Sequence, residues 1–172
     1  MVKKKLILIT LILLTSCNTG LINLTIKKIP YLGDELRIDG YYYSNLDFNN
    51  NLSVAVFYKD GFCIHTRIAS PVNQDTLNYI ENEILLNDKY IAKMKKDPFH
   101  IGVFQIIYPN IEFEVWEYKA WTFTYSGKII NDSTFIINKS ICNENGKIYL
   151  ENLTYRFKPF SSKPDSTNVW IE

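Results

Sequence analysis

The chain reads as a mainly β protein: an eight-stranded antiparallel up-and-down barrel, or else a strongly curved sheet, with a helical insertion between the third and fourth strands. Three observations predict it. From Leu36 onward, short runs of alternating apolar and polar residues are separated by turn residues. Asp60-Gly61 joins two β-rich runs, a strong hairpin signal. Between Pro71 and Pro98 the apolar spacing becomes helical. A meander of this length exposes two edges unless it closes, so closure is the economical arrangement.

The chain opens with Lys3, Lys4 and Lys5, continues through Leu6 to Leu14 with only Thr10 interrupting, and reaches Leu14-Thr15-Ser16-Cys17. A basic start, a greasy run and small residues before a cleavage point make residues 1–16 a signal peptide. The run is shorter than the roughly 20 residues that a bilayer-spanning helix needs. Leu-Thr-Ser-Cys resembles the lipobox of bacterial lipoproteins. That resemblance implies cleavage before Cys17, a diacylglyceryl group on its sulfur and an acyl chain such as palmitate on the new amine. At roughly 0.8 kcal/mol per buried methylene, two or three chains hold a protein stably on a membrane. Residues 17–33 include Pro30 and Gly33 and show no sustained period, so they read as the lipidated cysteine and a tether. Residues 34–172 are the folded domain.

The first strand is expected over Leu36–Tyr43, the second over Leu52–Tyr58 and the third over Phe62–Ile68. In the insertion, about 73–96, Leu77, Ile80, Ile84, Ile91 and Met94 fall near helical spacing. Asp75 lies at its start and Lys93, Lys95 and Lys96 at its end, as a helix dipole favours. Asn87-Asp88 in the middle leaves one bent helix and two helices both open, and the apolar stripe should pack on the β body. Further strands follow at Ile101–Tyr108, Ile111–Glu117, Trp121–Tyr125, Thr134–Asn138 and Ile148–Phe157. The tail carries Pro159 and Pro164, with Val169-Trp170-Ile171 as a last clip.

Without its leader the chain has 156 residues, which suits one domain. It then carries 16 basic residues against 18 acidic ones, a balance that speaks against nucleic acid as a partner. Once Cys17 is lipidated, Cys63 and Cys142 remain, either as a disulfide or as two separate thiols.

The segments Leu36 to Tyr43, Phe57-Tyr58-Lys59-Asp60-Gly61, Gly127 to Phe135 and Lys163 to Asn168 resemble those of small uncharacterised lipoproteins of the Bacteroidota, over most of the mature chain. The resemblance implies the anchor and the strand order and supplies no activity. The layout is more distantly similar to lipocalin-like barrels. Their Gly-x-Trp near the first strand is replaced here by Gly40-Tyr41-Tyr42, so no hydrophobic-ligand role carries over.

Residues that could carry chemistry are sparse. His65 and His100 have no neighbour at a metal-ligand spacing; Cys63 and His65 share a strand face, but two ligands make a poor metal site. No Gly-x-Ser-x-Gly elbow places a serine beside a histidine. Glu112, Glu114 and Glu117 read as a solvated face, not as a carboxylate pair for sugar hydrolysis. Asp75-Thr76-Leu77 resembles the short O-glycosylation acceptor of the Bacteroidota. Tyr41, Tyr43, Trp116, Trp121, Phe123 and Tyr125 are candidate wall or mouth residues, with core filling as the plainer role; Tyr41, Tyr43, Trp121, Phe123 and Tyr125 are the ligand-binding set.

The expectation is a cell-envelope lipoprotein without a cofactor, held to the outer membrane in preference to the inner. It would act as a non-enzymatic binding module for a small apolar or glycan ligand or an envelope protein. The alternative is a small envelope hydrolase whose site assembles only in the fold.

Overall fold

The computed structural model describes residues 23–69, 73–117 and 121–171; the expected signal peptide and Cys17 lie outside the described residues. The strands are β1 (Gly40–Leu46), β2 (Asn51–Phe57), β3 (Phe62–Ala69), β4 (Ile101–Ile107), β5 (Asn110–Trp116), β6 (Thr122–Asn131), β7 (Thr134–Cys142) and β8 (Lys147–Pro159). Each pairs antiparallel with the next and β8 pairs with β1, so the predicted meander closes into a barrel. At the Asp60-Gly61 hairpin, Gly61 has φ +86° and a Cβ there would stand 2.3 Å from the carbonyl oxygen of Ile29. Only glycine meets both demands.

The insertion holds two α-helices, α1 (Gln74–Tyr79) and α2 (Asp88–Lys96), separated by a π-helical segment, Ile80–Leu85. Asn73 and Asn87 cap them, each side chain accepting from backbone N–H groups of the first turn. Thr76 is buried with its hydroxyl bonded to Asn73 Oδ1, so the structure encloses the oxygen that the glycosylation motif would need exposed.

Alternation along the strands sorts side chains into two cores. Tyr42, Phe57, Phe104, Phe113, Phe135 and Tyr155 fill the barrel. Outside, Tyr41, Val54, Val56, Phe62, Ile64 and Ile101 form a second apolar face, covered by Ile80, Ile84, Leu85 and Met94 of the insertion. The helical stripe therefore packs on the barrel wall. Phe160 and Ile171 of the tail join this outer core, and Lys95 pairs with Asp165 at 2.7 Å. Val169 remains exposed.

The expected tether is tied to the barrel along its described part. Glu114 Oε2 accepts the N–H groups of Thr25 and Ile26 at 2.7 and 2.8 Å and the Thr25 hydroxyl at 2.8 Å. Asn143 Nδ2 donates to Oε1 of the same group. Glu114 is thus buried, contrary to the solvated-face expectation, because the N-terminal segment covers that part of β5. Further along, Tyr31 packs on Phe104 at 5.7 Å between ring centroids and accepts the Leu36 N–H at 2.7 Å. Tyr31 and Leu36 plug the end of the barrel where β1 begins. Residues 36–39 serve this plug, with Arg37 N–H bonded to the Asp132 carbonyl, so β1 starts at Gly40 and not at Leu36.

Two substitutions test this packing by urea denaturation. Phe57 is buried against the rings of Tyr42, Phe104, Phe113 and Phe135, and Phe57→Ala should cost about 3–5 kcal/mol, against about 0.5 kcal/mol or less for Leu150→Ala on the exposed outer face. Glu114→Ala removes the acceptor of four described donors, and should cost roughly 2–3 kcal/mol and make the chain before Tyr31 sensitive to limited proteolysis.

Candidate functional site

The barrel interior is not uniform. Rings fill the plugged end, whereas the opposite end holds a linked set of polar side chains. β3 supplies them by its period of two, which directs Cys63, His65 and Arg67 inward and Phe62, Ile64 and Thr66 outward. The parity that buries Ile111, Phe113 and Val115 of β5 continues to Glu117, just past the strand. β6 contributes Tyr125, opposite Phe113, and β8 contributes Tyr155, opposite Phe135.

These groups form a directional chain. Arg67 Nη2 donates to Tyr125 Oη at 2.5 Å, and the Tyr125 hydroxyl donates to Glu117 Oε1 at 2.5 Å. His65 Nδ1 stands 3.6 Å from the same oxygen, and His65 Nε2 lies 3.1 Å from the Tyr155 hydroxyl. Tyr125 stacks on Phe113 and Tyr155 on Phe135, so both phenols are held by the aromatic core beneath them. Ser140 Oγ donates to Glu151 at 2.6 Å on the adjoining wall. Half-buried Phe123 and Tyr149 face each other at 6.3 Å nearer the rim.

The electrostatics follow from burial and neighbours. Burial alone would raise the Glu117 pKa; the adjacent His65 ring, the Arg67 charge and the Tyr125 hydroxyl outweigh it and bring the carboxyl down to about 2. Burial lowers the pKa of His65, against the pull of Glu117, and lowers that of His100 as well. Burial likewise pushes the Tyr125 and Tyr155 phenols up, so both stay protonated donors. Among the described residues three buried polar atoms have no hydrogen-bond partner: His65 Nδ1 and Ser53 Oγ in the interior, and Tyr58 Oη in the outer core. Such groups are uncommon in a folded interior and mark a place built for more than packing.

Of the aromatic residues singled out from sequence, Phe123 and Tyr125 face the interior. Tyr41 and Tyr43 do not: they belong to the outer face, Tyr41 lying under Phe160 and donating to Glu81, while Tyr42 points inward. Trp121 precedes β6 at the polar end, where its carbonyl accepts the Glu117 N–H at 2.8 Å. Cys63 and Cys142 are free buried thiols, not a disulfide; they sit on β3 and β7, which are not neighbours. Burial drives the Cys63 pKa well up, which makes it an unreactive core thiol. Among the described residues no three His, Cys, Asp or Glu side chains are placed to hold a metal.

Sequence reasoning missed Arg67, Glu117 and Tyr155 as partners of His65. The signal was parity: Arg67 extends the Cys63–His65 face, and Glu117 falls in step with Val115, not with Glu112 and Glu114. Comparison with family models, curated proteins and solved structures finds no match. Fold and site together define a closed, plugged eight-stranded barrel with an ionisable cluster at its unplugged end.

The depressed imidazoles give the fold a pH dependence. An unfolded chain binds protons at histidine from about pH 6.5 downward, whereas buried His65 and His100 resist them, so stability should fall as pH drops below that value. Glu117 adds a second loss as pH falls from its unfolded pKa, about 4.5, toward about 2. Urea midpoints measured between pH 8 and 5 should decline with acidification, and His65→Gln should flatten that decline.

Proposed function

We propose that the protein is a lipid-anchored envelope lipoprotein that works as a non-enzymatic binding module, with the polar end of the barrel as its site. The observation that carries the reading is the Arg67–Tyr125–Glu117–His65–Tyr155 chain, in which buried His65 Nδ1 has no hydrogen-bond partner among the described residues. An apolar filling would satisfy packing without the desolvation cost of a buried carboxylate and imidazole. Perturbed ionisable groups gather where a protein meets a ligand or a reaction. The anchor rests on the leader and Leu14-Thr15-Ser16-Cys17, and places the module on a membrane facing the envelope, the outer membrane in preference to the inner.

A small hydrolase is the second reading, favoured by the approach of His65 to Glu117. It requires a nucleophile on the far side of the imidazole. The Tyr155 hydroxyl stands there, and His65 is 1% exposed, so the binding reading is preferred.

Growth with an alkyne analogue of palmitate should label the wild-type protein and leave Cys17→Ser unlabelled; label on both, or on neither, would refute the anchor. In a screen of apolar and glycan fragments, binding should shift the aromatic NMR signals of Phe123, Tyr125 and Tyr149. Turnover of aryl esters that disappears in His65→Gln would favour the hydrolase instead.

A further inference from the structure

β3 outruns its neighbour. Its register with β4 ends at Ile64 opposite Ile101, yet the strand continues to Ala69. Beyond that point the helical insertion, in place of a strand, flanks the edge of β3. A cleft of about 440 Å³ lies between them, within the usual size of small-molecule sites. Arg67 and Ile68 line one wall; Tyr79, Ile84, Tyr90 and Glu83 line the other. The second wall includes the π-helical segment, a geometry found often at functional sites.

Arg67 belongs to both the cleft and the interior chain. It is solvent-exposed, and its guanidinium rests 5.7 Å from the centre of the Tyr125 ring. Glu117 and Glu151 act on it at a distance, but among the described residues no carboxylate lies within ion-pairing range of it. The Tyr125 hydroxyl, committed to Glu117, takes one guanidinium N–H and fixes its orientation. Among the described residues its remaining donors have no acceptor, and they form a fork matched to a carboxylate. Around it, half-exposed Tyr79, Tyr90 and buried Ile84 offer an apolar and aromatic bed, and exposed Glu83 disfavours a second negative charge.

We propose that this cleft binds a monocarboxylate with an aromatic or branched apolar body, Arg67 taking the carboxylate and Tyr79 and Tyr90 the body. The inference rests on the binding-module reading and supplies its ligand class and its point of access. Glu117 and Tyr125 are positioning residues that aim the guanidinium without touching the ligand.

The test is titration of the folded barrel with N-acetyl-L-phenylalanine, its carboxamide and succinate, followed by the Arg67 Nε–H resonance and by calorimetry. The monocarboxylate should bind at least 10-fold more tightly than the carboxamide and than succinate. Arg67→Gln should abolish that preference, and Tyr79→Ala, on the exposed opposite wall, should weaken binding at least threefold with the melting temperature unchanged. Equal binding of acid and carboxamide, or an unaltered preference in Arg67→Gln, would overturn the proposal. Loss in Arg67→Gln with none in Tyr79→Ala would also overturn it, by placing the ligand in the barrel interior. If none of the three probes binds while apolar or glycan fragments still shift Phe123 and Tyr149, this ligand class fails and the wider reading stands.

Discussion

The hydrogen-bonded seam between β1 and β8, from Gly40 opposite Pro159 to Ser44 opposite Tyr155, is the constraint on which the rest of the molecule depends. It turns a meander with two open edges into a closed wall, and in doing so divides every strand into an inner and an outer set. A slip of one residue at the seam would put Tyr41 inside and Tyr42 outside. The aromatic interior and the helix-covered outer face both require the register that is observed.

Closure alone leaves two ends to be dealt with, and the chain treats them differently. At one end Tyr31 and Leu36 join the interior rings, so that apolar surface is removed from water by the segment that leads into β1. Glu114 holds the start of that segment from outside, its carboxyl group collecting backbone and hydroxyl donors that would otherwise be unpaired. At the other end the interior is polar. Burying Glu117 and His65 opposes folding, and the cost is reduced because Arg67, Tyr125 and Tyr155 satisfy most of their capacity while the ring stacks beneath keep the phenols in place. Rigidity at the plugged end thus supports a polar arrangement at the other.

Much of the architecture was legible in the sequence. Alternation marked all eight strands, Asp60-Gly61 marked the hairpin, and the change of period marked the insertion. The errors have physical causes. Leu36 to Asp39 alternates like a strand, but Tyr31 captures Leu36 and the segment becomes a plug. The strand near 121–125 runs on to Asn131 because a bulge between Ser126 and Gly127 resets its facing and breaks the alternation. Glu114 looked solvated since its cover comes from residues about 90 positions earlier. The candidate site was only half visible: of the wall or mouth aromatics, Phe123 and Tyr125 face the interior, while Tyr41 and Tyr43 lie on the outer face of β1.

By itself the sequence determined the strand-rich class, the strand order and the place of the helices, and raised the expectation of a leader ending before Cys17, since local periodicity and turn chemistry act over a few residues. Only the tertiary structure decided which face of each strand points inward, that the chain before β1 plugs the barrel, and that His65, Arg67, Glu117, Tyr125 and Tyr155 meet. Those outcomes depend on register between strands as far apart in sequence as Gly40 and Pro159, where pairing is selected by the packing of the whole interior and not by any local run.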